Sequence, residues 1–145
     1  MIRYEISTDP ERLDRDAVHR WLSDESYWAK GRSREDVEHS IANSINFGAY
    51  RDGEQVAFAR VVSDRTTFAW ICDVFVAREH RANGLGKQLV TAVLAHPETK
   101  RVYRWVLATA DAHDLYRRYG FHEIERPERF LVIEPERLAS ICADG

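Results

Sequence analysis

Residues 78–90 read REHRANGLGKQLV. Two arginines and a histidine come first, then two glycines separated by one residue, then apolar residues at helical spacing. Such a segment can be a plain turn. It can also seat a phosphate. A helix N-terminus leaves backbone N–H groups unpaired and carries partial positive charge. Gly84 and Gly86 let a ligand approach the backbone with no Cβ in the way. Arg78, His80, Arg81 and Lys87 supply local positive charge, so the stretch has the chemistry of a pyrophosphate cradle at the end of a strand. Two familiar phosphate loops do not fit it. A Walker A loop needs Lys followed by Ser or Thr, and Lys87 is followed by Gln88. A dinucleotide fingerprint needs three glycines at the start of an all-parallel domain, and two are present.

Working outward, the run before the cradle, TFAWICDVFV (67–76), is apolar on both alternating faces and reads as a central strand covered on both sides. The helix after it carries Leu85, Leu89 and Val93 on one face and stops at Pro97. Upstream, FGAYR and QVAFARVV flank Asp52-Gly53, the strongest short hairpin signal. SDR (63–65) reads as a second turn. Two helices precede this hairpin. The first spans STDPERLDRDAVHRWL, with Asp9 as N-cap, Pro10 at the first helical position, a Thr8–Glu11 capping box, and Leu13, Ala17 and Trp21 spaced by four. The second starts at Ser33, with Val37, Ile41 and Ile45 as its apolar stripe. Downstream, RVYRWVLAT reads as a strand, DAHDLYRRYGF as a short helix with Ala112, Leu115 and Tyr119 inward and Gly120 as its stop, and RFLVIE as a last strand. With the short opening strand YEI, the order is β-α-α-β-β-β-α-β-α-β. Hairpins give antiparallel pairing, and the strand-helix-strand unit from Thr67 to Ala108 gives one parallel pair. The expected fold class is α/β (α+β): a single domain over 1–145, with a mixed, mostly antiparallel sheet and helices on both faces.

The totals agree with one globular domain: 145 residues, 44% hydrophobic and 31% charged, which argues against disorder. A formal charge of -3 gives no global pull toward nucleic acid or an anionic membrane. Any anion must therefore be held by a local site. No apolar leader and no membrane-spanning run is present, and Cys72 and Cys142 stand far apart, so the expected compartment is the cytoplasm. The six histidines show no metal-ligand spacing. Cys72 alternates onto the face of Trp70 and Val74 and reads as a packed thiol rather than a nucleophile.

RANGLG, an Arg-x-x-Gly-x-Gly loop after a central strand, resembles the acyl-CoA loop of the GNAT N-acetyltransferase superfamily, and LYRRYGF (115–121) resembles its second signature. The element order is similar to that fold over nearly the whole chain. The resemblance implies an N-acetyltransferase, an acyltransferase that acetylates a primary amine by direct transfer from acetyl-CoA, with no metal. Its partner is a small-molecule or peptide amine, and a homodimer through the C-terminal strand is compatible with it. It implies that main-chain groups of Val74, Phe75 and Val76 pair with the pantetheine arm. It gives the pyrophosphate to the main chain of Arg81, Ala82, Asn83, Gly84, Leu85 and Gly86, with Lys87 beside it. It places Asp111 against the cofactor and makes Tyr116 the acid that protonates the departing thiolate. Two positions depart from the pattern: Arg78 stands where many members have Pro, and Ala82 where they have Gly. Because Ala disfavours positive φ, Ala82 is expected at negative φ.

The chemistry needs a neutral amine, an oxyanion donor and a stabilised leaving group. Tyr116 suits the acid, since a phenol with an ordinary pKa of about 10 keeps its proton at neutral pH. Its spacing from Ala112 also fits a plain core aromatic. Asp73 interrupts the apolar run and shares a face with Ile71 and Phe75. Burial there would raise its pKa toward the range of a base. A carboxylate that bridges backbone amides at a bulge, or a water chain as proton acceptor, are the other readings. On the acceptor side, Tyr27 and Trp28, with Lys30 and Arg32, lie in the loop that in this family closes over the acceptor. They could stack on it, or Trp28 could plug the core edge. The identity and charge of the acceptor stay open. So does a non-catalytic acyl-CoA sensor of the same fold, and a nucleotide-binding protein using the same cradle.

Overall fold

The computed structural model of the chain describes residues 2–144. The chain divides into two compact units after Asp111. The first holds the whole sheet: β1 (Glu5–Ser7), β2 (Ile45–Arg51), β3 (Glu54–Ser63), β4 (Ala69–Val76) and β5 (Trp105–Leu107), in that spatial order. β1 to β4 pair antiparallel, and β5 pairs parallel to β4. The parallel pair is joined by a crossover containing α3 (Leu85–Ala95), since parallel neighbours cannot be linked by a tight hairpin. α1 (Arg15–Arg20) and α2 (Arg34–Ala42) lie between β1 and β2 in the chain.

The β2–β3 turn is built as its residues dictate. Asp52 and Gly53 both have positive φ, 51° and 81°, the twist that a two-residue hairpin needs. Phe47 and Phe58 are fully buried and, one register step apart, face opposite sides of the sheet. Phe58 joins Phe75, Ala77, Leu13 and the apolar faces of α1 and α2 (Ala17, Val18, Val37, Ile41) in one cluster. Phe47 meets His96, just past α3, edge to face at 5.5 Å. Leu85, Leu89 and Val93 of α3 are all buried, and each such side chain contributes roughly 1.5–3 kcal/mol. Gly48 owes its identity to Tyr50. A Cβ at position 48 would lie 2.5 Å from the Tyr50 hydroxyl and 2.8 Å from its ring, while the guanidinium of Arg12 sits 4.3 Å from the same ring's centroid.

Several sequence expectations are corrected. The first helix is broken in two. Asp9 caps a 3-10 turn at Pro10–Arg12, Leu13 is extended, and Asp14 caps α1 by accepting from the Ala17 N–H. The second aspartate restarts the helix, helped by Gln55 Oε1, which accepts the Asp14 N–H at 2.7 Å. Thr8 accordingly does not close a capping box; its hydroxyl lies 3.3 Å from His96 Nε2. Leu13, Ala17 and Trp21 are buried all the same. α2 begins as expected, with Ser33 accepting from the Asp36 N–H, but Ile45 belongs to β2. β4 is not covered on both faces. Ala69, Ile71, Asp73 and Phe75 are buried, while Trp70, Cys72, Val74 and Val76 are not.

The second unit contains α4 (His113–Arg117) and α5 (Pro135–Asp144). In α4 the buried side chain is Tyr116, not Ala112, Leu115 or Tyr119, and Gly120 takes the left-handed stop at φ 97°. The strand expected over RFLVIE is not formed. Phe130 to Glu134 have no ladder, and Leu131 and Val132 are exposed. The C-terminal strand offered for a homodimer is therefore missing, and a helix follows instead. Among the described residues no helix is long and apolar enough to cross a membrane.

Candidate active site

β4 changes character half-way along. Ala69, Trp70 and Ile71 pair with β3 on one side and with Trp105, Val106 and Leu107 of β5 on the other. Beyond Ile71 the ladder to β5 stops while the ladder to β3 continues. Cys72 pairs with Arg60, and Phe75 with Phe58, so Asp73 and Val74 together oppose Ala59. This is a β-bulge, and it puts Asp73 at φ 53°, a conformation Asp tolerates better than most residues. The Ala77 N–H donates to the Val56 carbonyl at 2.9 Å. By strand alternation the main-chain groups of Val76 point the other way, to the side that β5 has left. One of them is engaged: the Val76 carbonyl accepts from Arg81 Nε at 2.9 Å, with the guanidinium 5.2 Å from the Phe75 ring centroid.

After β4 the chain makes a 3-10 turn at Arg78–His80 and enters α3 through Arg81 to Gly84. The Arg81 N–H is committed to the Arg78 carbonyl, which confines the available cradle to Ala82 onward. Ala82 lies at φ 65°, which overturns the expectation of a negative value. The loop must reverse direction in four residues between two helical turns, and that closure imposes a left-handed residue whatever its Cβ, at roughly 1–2 kcal/mol. Gly84 is left-handed too, at φ 78°, and a Cβ built on it would meet nothing within 4 Å. As the N-cap of α3 it offers no side-chain acceptor. The first-turn N–H groups, which have no intrahelical acceptor, thus face an open approach. The Gln88 N–H, at 3.1 Å from the Gly84 carbonyl, makes the first helical bond.

Asp73 is 4% exposed. Its Oδ2 accepts from Arg32 Nη1 at 2.7 Å and from Arg60 Nε at 2.9 Å, and its Oδ1 accepts from the Trp28 indole at 3.0 Å. Burial pushes its pKa up, but the hydrogen bonds and charges of Arg32 and Arg60 outweigh burial and hold the carboxyl below its ordinary value. The expected rise is therefore reversed. Cys72, next door, has its thiol pushed up to about 11 by burial, which leaves it protonated and inert. Arg60 went unnoticed in the sequence. Its signal was available: like Asp73 it is a charge set inside an apolar strand, QVAFARVV, one strand away.

Tyr27 and Trp28 meet edge to face at 5.0 Å. Tyr27 is 56% and Trp28 40% exposed, so Trp28 is an anchored surface ring rather than a core plug. The Tyr27 hydroxyl accepts the Ala110 N–H at 3.0 Å, tying this loop to the segment after β5. Lys30 turns away, donating to the Asp24 carbonyl. Asp111 is exposed and ends the first unit. Tyr116, in the second unit, is 6% exposed, with its ring edge to face against Phe121 at 5.8 Å. Among the described residues no group of three or more His, Cys, Asp or Glu could hold a metal ion.

A mixed sheet whose fourth strand bulges and parts from the fifth, followed by a glycine-capped helix, defines an acyltransferase architecture. The sequence profile of the Acetyltransferase (GNAT) family matches residues 15–121, and the chain belongs to that family. A Gibberella zeae protein provisionally named an acetyltransferase is 29% identical over 136 residues, 78% of this chain and 75% of that one. A crystal structure from Xanthomonas campestris pv. campestris, provisionally assigned to the GNAT acetyltransferases, is 46% identical, with a TM-score of 0.89 over 92% of this chain and 94% of that one. A Clostridium acetobutylicum protein, assigned to the acetyltransferases and solved with acetyl-CoA, shares the fold at 14% identity and a TM-score of 0.67, over 92% of this chain and 96% of that one.

Proposed function

We propose that this enzyme acetylates a primary amine by direct transfer from acetyl-CoA. The observation that carries the reading is the edge of β4 beyond Ile71, left by β5 and leading straight into the Gly84-capped start of α3. Acetyl-CoA supplies the activated acetyl thioester. The main chain of Val74, Phe75 and Val76 offers the strand edge for an extended pantetheine arm, with the Val76 carbonyl reached by displacing the Arg81 side chain. Ala82 to Gly86, flanked by Lys87, offer N–H groups and helix charge to a diphosphate, and we assign Asp111 to a contact with the cofactor. The N–H beside Val74 serves as oxyanion donor. Tyr116 holds a phenolic proton for the leaving thiolate. Asp73 stays ionised between two guanidiniums, so it anchors the acceptor loop, and the amine's proton leaves through water. A cytoplasmic location accords with two free cysteines.

Thiol release from acetyl-CoA over an amine panel tests the reading. Turnover with at least one amine is expected. Tyr116→Phe, which keeps the packed ring, should lower turnover by about tenfold or more, since general acid catalysis is worth about 10²–10⁴, and should leave thermal stabilisation by acetyl-CoA unchanged. Stabilisation with no thiol release for any amine would identify a binding-only sensor. A full rate for Tyr116→Phe would remove the acid assignment.

A further inference from the structure

The Asp73 cluster is not charge-balanced. One carboxylate faces two guanidiniums, and among the described residues neither Arg32 nor Arg60 forms an ion pair with any other acid. All of Asp73 is spent: Oδ2 takes both arginines and Oδ1 takes the Trp28 indole. Arg60 is also used twice, with Nε on Asp73 and Nη1 on Ser44 Oγ at 3.0 Å, and its side chain is 15% exposed. Arg32 is different. A guanidinium has five N–H donors, and among the described residues the only side-chain hydrogen bond of Arg32 is the one from Nη1 to Asp73. Its side chain is 25% exposed, open enough to be reached and buried enough for its charge to be felt. The loop that carries it is fixed on three sides: by His19 Nε2, 3.1 Å from the Arg32 carbonyl, by Trp28 on Asp73, and by Tyr27 on Ala110. A pre-positioned fork with an unmatched positive charge, beside a half-exposed indole and next to the bulge, has the form of a receptor for a planar anion.

We infer that Arg32, backed by Arg60, is a carboxylate receptor in the acceptor site, so that the amine acetylated by this enzyme carries a carboxylate close to its amino group. The second half of this inference rests on the acetyl-transfer reading; the receptor itself does not. A purely cationic acceptor such as a diamine would meet the surplus positive charge and be disfavoured.

The test uses matched pairs, each an amino acid and its own carboxamide, which share the amine and differ in the carboxylate. Two readouts are taken on the full chain: thermal stabilisation by the amino acid alone, and thiol release from acetyl-CoA. The amino-acid member is expected to be used at least tenfold better in kcat/KM and to stabilise the protein where its amide does not. Arg32→Gln should raise KM for the amino acid and bring the pair to parity, with stabilisation by acetyl-CoA unchanged. Arg32→Lys, which keeps the charge and loses the fork, should fall between. Equal or better use of the amides or of diamines overturns the receptor and leaves acetyl transfer standing. Arg32-dependent stabilisation by amino acids without thiol release for any amine keeps the receptor and sinks acetyl transfer. If no amino acid either stabilises the protein or is turned over, or if Arg32→Gln keeps the full preference, the inference is wrong.

Discussion

The two halves of β4 are eight consecutive residues of one strand under two different physical regimes. Ala69 to Ile71 are laddered on both sides, and Ile71 is 3% exposed among apolar neighbours. Asp73 to Val76 are laddered on one side only, bent by a bulge, and carry a buried carboxylate beneath two arginines. The first half spends its backbone groups on the sheet and is made for stability. The second half withholds one edge and holds charge where a hydrocarbon would be more stable. A single strand can do both because the parallel partner is only three residues long. The site begins where β5 ends.

Substitutions in each half should separate the two regimes. The largest loss of stability is expected from Ile71→Ala, about 2–5 kcal/mol in denaturant unfolding, with turnover per folded molecule largely kept. Asp73→Ala should cost less, about 2–3 kcal/mol: it strands two guanidiniums, but these stay partly hydrated. It should nevertheless abolish most turnover, because Trp28 and Arg32 lose their shared anchor. If Asp73→Ala unfolds the chain as strongly as Ile71→Ala while sparing the rate, the contrast between the halves fails. The same residue predicts a pH effect. A carboxyl whose folded pKa is depressed stabilises the fold fully above the unfolded value, about 3.9. That contribution is lost as pH falls through the lower, folded value. The stability gap between the wild type and Asp73→Asn should thus be flat above about pH 5 and close below about pH 4. Trp28→Phe should cost about 1 kcal/mol, one hydrogen bond to a charged group less some packing kept. Ala82→Gly is expected to gain about 1 kcal/mol by relieving the left-handed alanine, seen as a raised unfolding midpoint.

What the sequence discloses follows the range of the forces involved. The Asp52-Gly53 hairpin, the Ser33 cap and the Leu85–Leu89–Val93 face depend on residues within a few positions of one another, and each is found where the pattern puts it. The break at Leu13 is local as well, but two competing caps, Asp9 and Asp14, lie close enough to read as one helix. RFLVIE has strand composition, yet a strand also needs a partner edge, and composition cannot supply one. For the site, the alternation that buries Asp73 was legible, and so was the cationic glycine loop. The sign of the Asp73 pKa was not, because it is decided by Arg60, thirteen residues away, and Arg32, forty-one away. Nor was the torsion of Ala82, which is set by loop closure rather than by alanine's own preference.

The ring of Tyr50 lying over Gly48 constrains how this sequence can drift. Any side chain at position 48 must first evict a buried tyrosine, whereas a smaller residue at position 50 opens the space in advance. The two positions can change in one order only, 50 before 48, and a Gly48 replaced alone is expected to be purged before its companion can follow.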